Sequence, residues 1–291
     1  VSQMKLIAGC IMVCVCVFGG YAAMGGKLGV LWQPFEYVII LGAAIGAFII
    51  ANPGTIIKGM GGIFGTMFKG AKYSKESYLE LLGLQYTLFK LAKAKGSLAL
   101  EAHVEDPHNS DIFNQFPIFA GDHHAVDFMC DYLRMITLGT ENAHELEALM
   151  DEELETHHQE QELAVGSIQA LADGTPALGI VAAVLGVIKT MGSIDQPPEI
   201  LGHLIGGALV GTFFGVFVSY GFFAPMASSL KTAYESESKY LLSMKAGLLA
   251  HMNGYAPAVS IEFARKAIMS FDRPTFKEVE DSTQNLSIPT S

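Results

Sequence analysis

Two histidine pairs, His123-His124 and His157-His158, are the first side chains whose types invite chemistry, with Asp122 and Glu153 close by in sequence. Imidazole and carboxylate donors hold transition metals when their spacing brings them to one point. No HExxH or comparable ligand spacing is present, so both pairs read as solvated helix faces and no metal is expected. Nucleophile and nucleotide motifs are also missing. There is no GxSxG and no dinucleotide fingerprint, and Gly59, Gly61, Gly62 and Gly65 do not complete a phosphate-binding loop. Cys10, Cys14, Cys16 and Cys130 make neither a zinc pair nor a disulfide framework. Three of them share one apolar run and read as small apolar residues. The expectation is a protein that is not an enzyme and carries no cofactor.

Ion passage is the other chemistry the residues allow, and it calls for polar groups inside apolar runs. Thr212 is the main polar group well inside the last such run. Composition alone reads it as a hydroxyl bonded back to its own helix backbone. Pro176 and Pro225 stand near the ends of two runs. Each removes an intrahelical hydrogen bond, so the two read either as boundary prolines or as a hinge pair that transmits motion. Glu36 and Asp173 lie at the edges of runs, and no Asp or Glu lies deep in one. A proton-binding carboxylate would then have to come from a partner chain. Small residues fill Gly174–Gly186 and recur at Gly202, Gly206, Gly207, Gly211 and Gly215. They permit close helix contact, with this chain or another as the neighbour.

The elements that carry these groups are set by hydropathy. Only 16% of the 291 residues are charged, against about a quarter in soluble domains. Leu6–Gly26 has no charge over 21 residues, enough to cross a hydrocarbon core of about 30 Å. Only Lys5 precedes it and no clean cleavage site follows, so it reads as a retained helix rather than a signal peptide. Tyr37–Ile57 is a second uncharged run, with Pro34 suited to its first turn and Trp32 to an interface. A third runs from Gly174 to Lys189, whose snorkelling side chain extends it to about Ile194. The fourth, Ile200–Leu230, is 31 residues long and should project beyond the bilayer. Fifteen of the eighteen Lys and Arg residues fall between 58 and 172 or from 231 onward. The positive-inside rule places both long segments and both termini in the cytoplasm. The expected division is 1–57 (spans one and two), 58–172 (cytoplasmic helices), 173–230 (spans three and four) and 231–291 (cytoplasmic helices and tail).

Within the cytoplasmic segments, Tyr73–Lys95 has helical spacing and a stop at Gly96. A loop rich in Asp, Asn, His and Pro follows, then a helix over His123–Leu138. Glu141–Glu162 holds nine acidic residues and no Lys or Arg, and reads as one acidic helix leading to the third span. Thr232–Phe271 reads as helix, break at Asn253–Pro257, helix, and Ser282–Ser291 as disordered. The fold class is therefore an all-α membrane protein: four transmembrane helices and a mostly helical cytoplasmic domain built from the middle segment and the tail. No basic patch interleaved with aromatics is present, so nucleic acid is not an expected partner.

Several motifs in order resemble the MotA family of flagellar stator subunits, within the MotA/TolQ/ExbB superfamily. They are Gly25–Gly29 before Gln33-Pro34-Phe35-Glu36, Met150–His157, Pro176–Val184, Val210–Phe213, Tyr220–Pro225 and Asn253–Pro257. The resemblance implies five copies of the subunit around a dimer of a single-span MotB partner, in the bacterial inner membrane. It implies that the partner's aspartate takes the proton, with spans three and four lining the path. It places the functional prolines at Pro176 and Pro225 and the membrane threonine at Thr212. It also implies contacts with the rotor protein FliG through Lys93, where the family commonly has Arg, and Glu101. Sodium-driven relatives carry a second threonine where this chain has Ala183. Alanine offers no side-chain oxygen to a hard cation, so the transported ion is expected to be the proton.

Three other readings compete, one of them a membrane scaffold without ion flux. An ExbB- or TolQ-like energy transducer should have three spans rather than four. A secondary transporter for a small solute should show internal repeats or interrupted helices around a polar site, and neither is present.

Overall fold

The computed structural model describes residues 2–140, 142–284 and 286, and no strand occurs among them. In chain order the helices are α1 (Ser2–Cys14), α2 (Gly20–Ala23), α3 (Pro34–Ala51), α4 (Gly54–Lys69), α5 (Lys75–Lys95), α6 (Glu101–Glu105) and α7 (Pro117–Ala120). They continue with α8 (His123–Thr137), α9 (Ala143–Met191), α10 (Pro198–Val218), α11 (Ala224–Met252), α12 (Pro257–Ala267) and α13 (Phe276–Gln284). A π-turn over Val15–Gly19 joins α1 to α2, and another over Ser219–Phe223 joins α10 to α11.

Among the described residues, four helical stretches are long and apolar enough to cross a membrane: Met4–Ala23, Pro34–Ala51, and parts of Ala143–Met191 and Pro198–Met252. In the most apolar window of Met4–Ala23 no residue is buried. Such a helix needs an apolar surrounding outside the chain itself.

The second span is shorter than hydropathy suggests. It ends at Ala51 because Pro53 pushes Asn52 into an extended conformation (φ −113°, ψ 144°). The apolar residues after it start the separate helix α4, which ends at Gly70 in a conformation that favours glycine (φ 70°). The third span has no start of its own, because α9 continues through Pro176 without a break. Of the acidic stretch that precedes it, Glu141 lies outside the described residues.

The chain forms two compact units. The first holds residues up to Gly70 together with Glu160–Ala233. The second holds Ala71–Gln159 and the chain from Tyr234 onward. These boundaries follow packing, so they cut the long helices at places hydropathy does not mark.

In the first unit α3 buries Ile40, Ala44 and Phe48. The Tyr37 ring packs on Phe214 of α10 at 4.2 Å between centroids. In the second unit the core centres on α5, which buries Tyr78, Leu81, Leu82, Leu84, Leu88 and Phe89. Ser74 and Ser77 cap its start reciprocally, and Gly96 (φ 87°) ends it. Gln85 donates to the Met244 carbonyl at 2.8 Å. Its amide fills the place a side chain at residue 247 would take, since a methyl group added at Gly247 would lie 2.4 Å from Gln85 Oε1. The segment after Gly96, read as loop, is instead a chain of short helical turns around the buried Leu100, Val104, Phe113 and Phe119. The tail read as disordered from Ser282 begins as helix: α13 includes Ser282–Gln284 and buries Val279 and Thr283 against the core. Asn285 and Ser287–Ser291 lie outside the described residues.

Candidate ion path and rotor-contact surface

Helices α9 and α10 meet along two matched triplets, Gly179, Ala182 and Gly186 on one side, Ala208, Gly211 and Gly215 on the other. Both triplets step by three and then four residues, which keeps them on one helix face. A methyl group added at Gly179 would lie 2.8 Å from the Gly211 carbonyl oxygen, and one at Gly215 would lie 2.8 Å from the Gly179 Cα. At Gly186 it would lie 2.7 Å from the Ala208 Cβ. Backbone therefore lies against backbone, as small residues in membrane helices allow. Gly207 makes room for the Gln33 side chain at 3.1 Å, whereas Gly202 and Gly206 face open space. The glycine stripe is thus divided between internal packing and a free face.

Ala183 lies at this interface, and Thr212 directly follows Gly211. The Ala183 backbone nitrogen is 3.2 Å from the methyl position of Gly211, the residue before Thr212. Thr175 and Thr190 bond back to the carbonyls of Leu171 (2.5 Å) and Gly186 (2.9 Å). The half-buried Thr212 hydroxyl makes no such bond among the described residues, contrary to the reading from composition. Glu36 reaches the same turn from α3. Its Oε1 is 3.4 Å from the methyl position of Gly186, and its Oε2 is 3.1 Å from that of Gly211. Among the described residues that buried Oε2 has no hydrogen-bond partner. Sequence placed Glu36 at a span edge. The sign of its inward reach was the pair Gly186 and Gly211, each leaving room for a third helix's side chain.

Pro176 lies seven residues before Ala183, roughly 10 Å at 1.5 Å per residue, and Pro225 thirteen residues after Thr212, roughly 20 Å. Pro176 has no N–H to offer the Ala172 carbonyl one turn back. The buried Ser219 hydroxyl supplies the missing donor at 2.5 Å. Ser219 also opens the π-turn that closes with the Ala224 N–H donating to the Ser219 carbonyl, directly before Pro225. π-turns of this kind frequently mark functional sites. One serine thus satisfies the carbonyl that Pro176 frees and opens the π-turn directly before Pro225. Sequence reasoning passed over it, because a lone serine in an apolar helix carries no signal until its partner, 47 residues away, is known.

Lys93 and Glu101 belong to the second unit. Both are exposed, Lys93 on the last turn of α5 and Glu101 on the first turn of α6. Between them the chain turns at Gly96 and presents Leu98, 70% exposed. Lys93 borders a groove of 340 Å³ shared with Tyr86, Lys90, Ala94, Ala256, Pro257 and Ala258. The His251 ring stacks on Phe89 at 4.4 Å. Burial, and then the Lys93 charge, hold the His251 pKa below its ordinary value of 6.5. The two charges therefore stand on a packed platform rather than on a mobile loop.

Residues 7–96 match the family model described as motility protein A N-terminal, and residues 122–243 match that of the MotA/TolQ/ExbB proton channel family. The chain is 44% identical to motility protein A of Escherichia coli K12 over 98% of its own length and 97% of that protein's. It belongs to the motility protein A family. Chemotaxis protein LafT of Vibrio parahaemolyticus is 36% identical over 95% of this chain and 97% of its own. Among solved structures, the flagellar MotAB stator complex from Bacillus subtilis superimposes with a TM-score of 0.74 at 28% identity, covering 92% of this chain and 97% of that one. The C. jejuni MotAB structure shares the fold, with a TM-score of 0.79 at 19% identity over 94% and 98%. The chain is thus a membrane-spanning stator subunit of the flagellar motor, and not an enzyme. Near-full-length identity to motility proteins sets it apart from the ExbB and TolQ branches.

Proposed function

We propose that this subunit couples proton passage to rotation of the flagellar rotor. Its partner is a MotB-like single-span chain whose transmembrane aspartate carries the proton, since no Asp or Glu lies deep in the apolar parts of α9 and α10. Five copies surround a dimer of that partner in the inner membrane, with both termini and the second unit in the cytoplasm. The Ala183–Gly211–Thr212 turn faces the ion path, and the absent hydroxyl at Ala183 favours the proton over sodium. Protonation bends α9 and α11 at Pro176 and Pro225, and the movement reaches FliG through Lys93 and Glu101.

The observation that carries this reading is Ser219, which satisfies the carbonyl freed by Pro176 and opens the π-turn directly before Pro225. Neighbouring helices that carry such defects form a natural hinge. Replacing Pro176 or Pro225 should abolish torque while leaving membrane insertion intact, and normal swimming by both mutants would remove the hinge. Ion choice has its own assay: swimming should stop with a protonophore and ignore external sodium. Speed that follows sodium instead would overturn proton coupling.

A further inference from the structure

The histidine pairs that sequence reads as solvated faces do not stay apart. One member of each pair, His124 at the start of α8 and His157 on α9, meets Glu237 of α11, which is 80 residues further along the chain. One donor atom from each of the three lies within 4.8 Å of the other two. The imidazole rings meet edge to face at 4.9 Å, and His157 Nε2 is 3.9 Å from a Glu237 carboxylate oxygen. All three residues belong to the second unit.

We propose that His124, His157 and Glu237 form a binding site for one divalent transition-metal ion of zinc-like chemistry, joining α8, α9 and α11. The inference is independent of the proton-coupling reading.

Two imidazoles and one carboxylate are a common three-ligand zinc set, with water in the fourth position. Imidazole also favours such ions over magnesium and calcium, which prefer oxygen donors alone. His157 and Glu237 are mostly enclosed, with side chains 21% and 19% exposed, whereas His124 faces solvent. The enclosed pair supplies a fixed edge and the exposed side leaves room for water. Zinc bonds of about 2.0–2.1 Å place neighbouring tetrahedral donors roughly 3.3–3.4 Å apart. Side-chain rotation, chiefly of the exposed His124, can close the difference from 4.8 Å without moving a helix. The nearby cation, Lys72, is engaged by Asp122 at 2.7 Å, the residue that caps α8. A metal here would tie together three helices that are otherwise joined at this point by side-chain contacts alone.

The test uses the full chain in its stator complex, in detergent, purified without a polyhistidine tag. Zinc is titrated by calorimetry, and cobalt(II) serves as an optical probe of coordination geometry. The expected result is one ion per chain, a tetrahedral cobalt spectrum, and a melting temperature raised by zinc. His124→Ala and Glu237→Gln should each weaken zinc binding by about tenfold or more, whereas His158→Ala, outside the cluster, should not. Circular dichroism establishes that each variant remains folded. His124 is exposed, so its replacement tests the site without disturbing the core. Failure of the parent chain to bind zinc, or equal binding by the parent and His124→Ala and Glu237→Gln, would overturn the site.

Discussion

Replacing Ser219 with alanine isolates the contact that serves the carbonyl freed by Pro176. The substitution removes the only described donor to the Ala172 carbonyl that Pro176 leaves without its helical partner. Ser219 is fully buried, so water cannot replace the lost donor. Leaving such a carbonyl unsatisfied costs about 1–3 kcal/mol, a factor of about 5–150 in an equilibrium constant. The decisive measurement is a double-mutant cycle. In a Pro176→Ala background the new amide at residue 176 donates to Ala172, and the serine becomes dispensable. Ser219→Ala should then cost at least about 1 kcal/mol less than in the parent. Unfolding of the full chain in detergent gives the stability term, and the torque of tethered cells gives the functional one. An equal cost in both backgrounds would show that the hydroxyl does not serve the proline-freed carbonyl, and the argument for a shared hinge would fail with it.

Other expectations follow from the same geometry. Gly179→Ala or Gly215→Ala forces a methyl group against backbone and should destabilise the α9–α10 pair by about 1–3 kcal/mol; Gly206→Ala, which faces open space, should be neutral in the same unfolding assay. Reversing charge at Lys93 or Glu101 should slow swimming without altering the melting temperature, because both side chains are exposed. A drop in melting temperature instead would make them structural. His251 has a pKa lowered by burial and then by Lys93, so its neutral form is the one the fold accommodates. Its contribution is present above the unfolded value of about 6.5 and is lost as pH falls toward the folded pKa. Denaturation at about pH 7.5 and about pH 5.5 should show that loss, and His251→Phe, which keeps the stack on Phe89, should flatten it.

Local rules read much of this molecule from its residues. Uncharged runs marked all four spans because the cost of a charge in hydrocarbon is paid residue by residue. Gly96 marked the end of α5 because a residue with positive φ acts within one turn. Pro176 and Pro225 stood out for the same reason, since each breaks a bond four residues away. Even Pro53, passed over inside an apolar run, acted on its immediate neighbour, and its signal was in the sequence.

The rest depended on which helix faces meet, and that is set by packing angles and side-chain volumes rather than by local spacing. Ser219 finds Ala172 across 47 residues. Glu36 leaves its span edge because two glycines on other helices make room for it. His124 and His157 each stand beside a second histidine, and only the fold selects one from each pair and supplies Glu237 rather than Asp122 or Glu153. The residues able to do chemistry were visible from the start. Their partners were not, because contacts between distant helices leave no period in the chain that makes them.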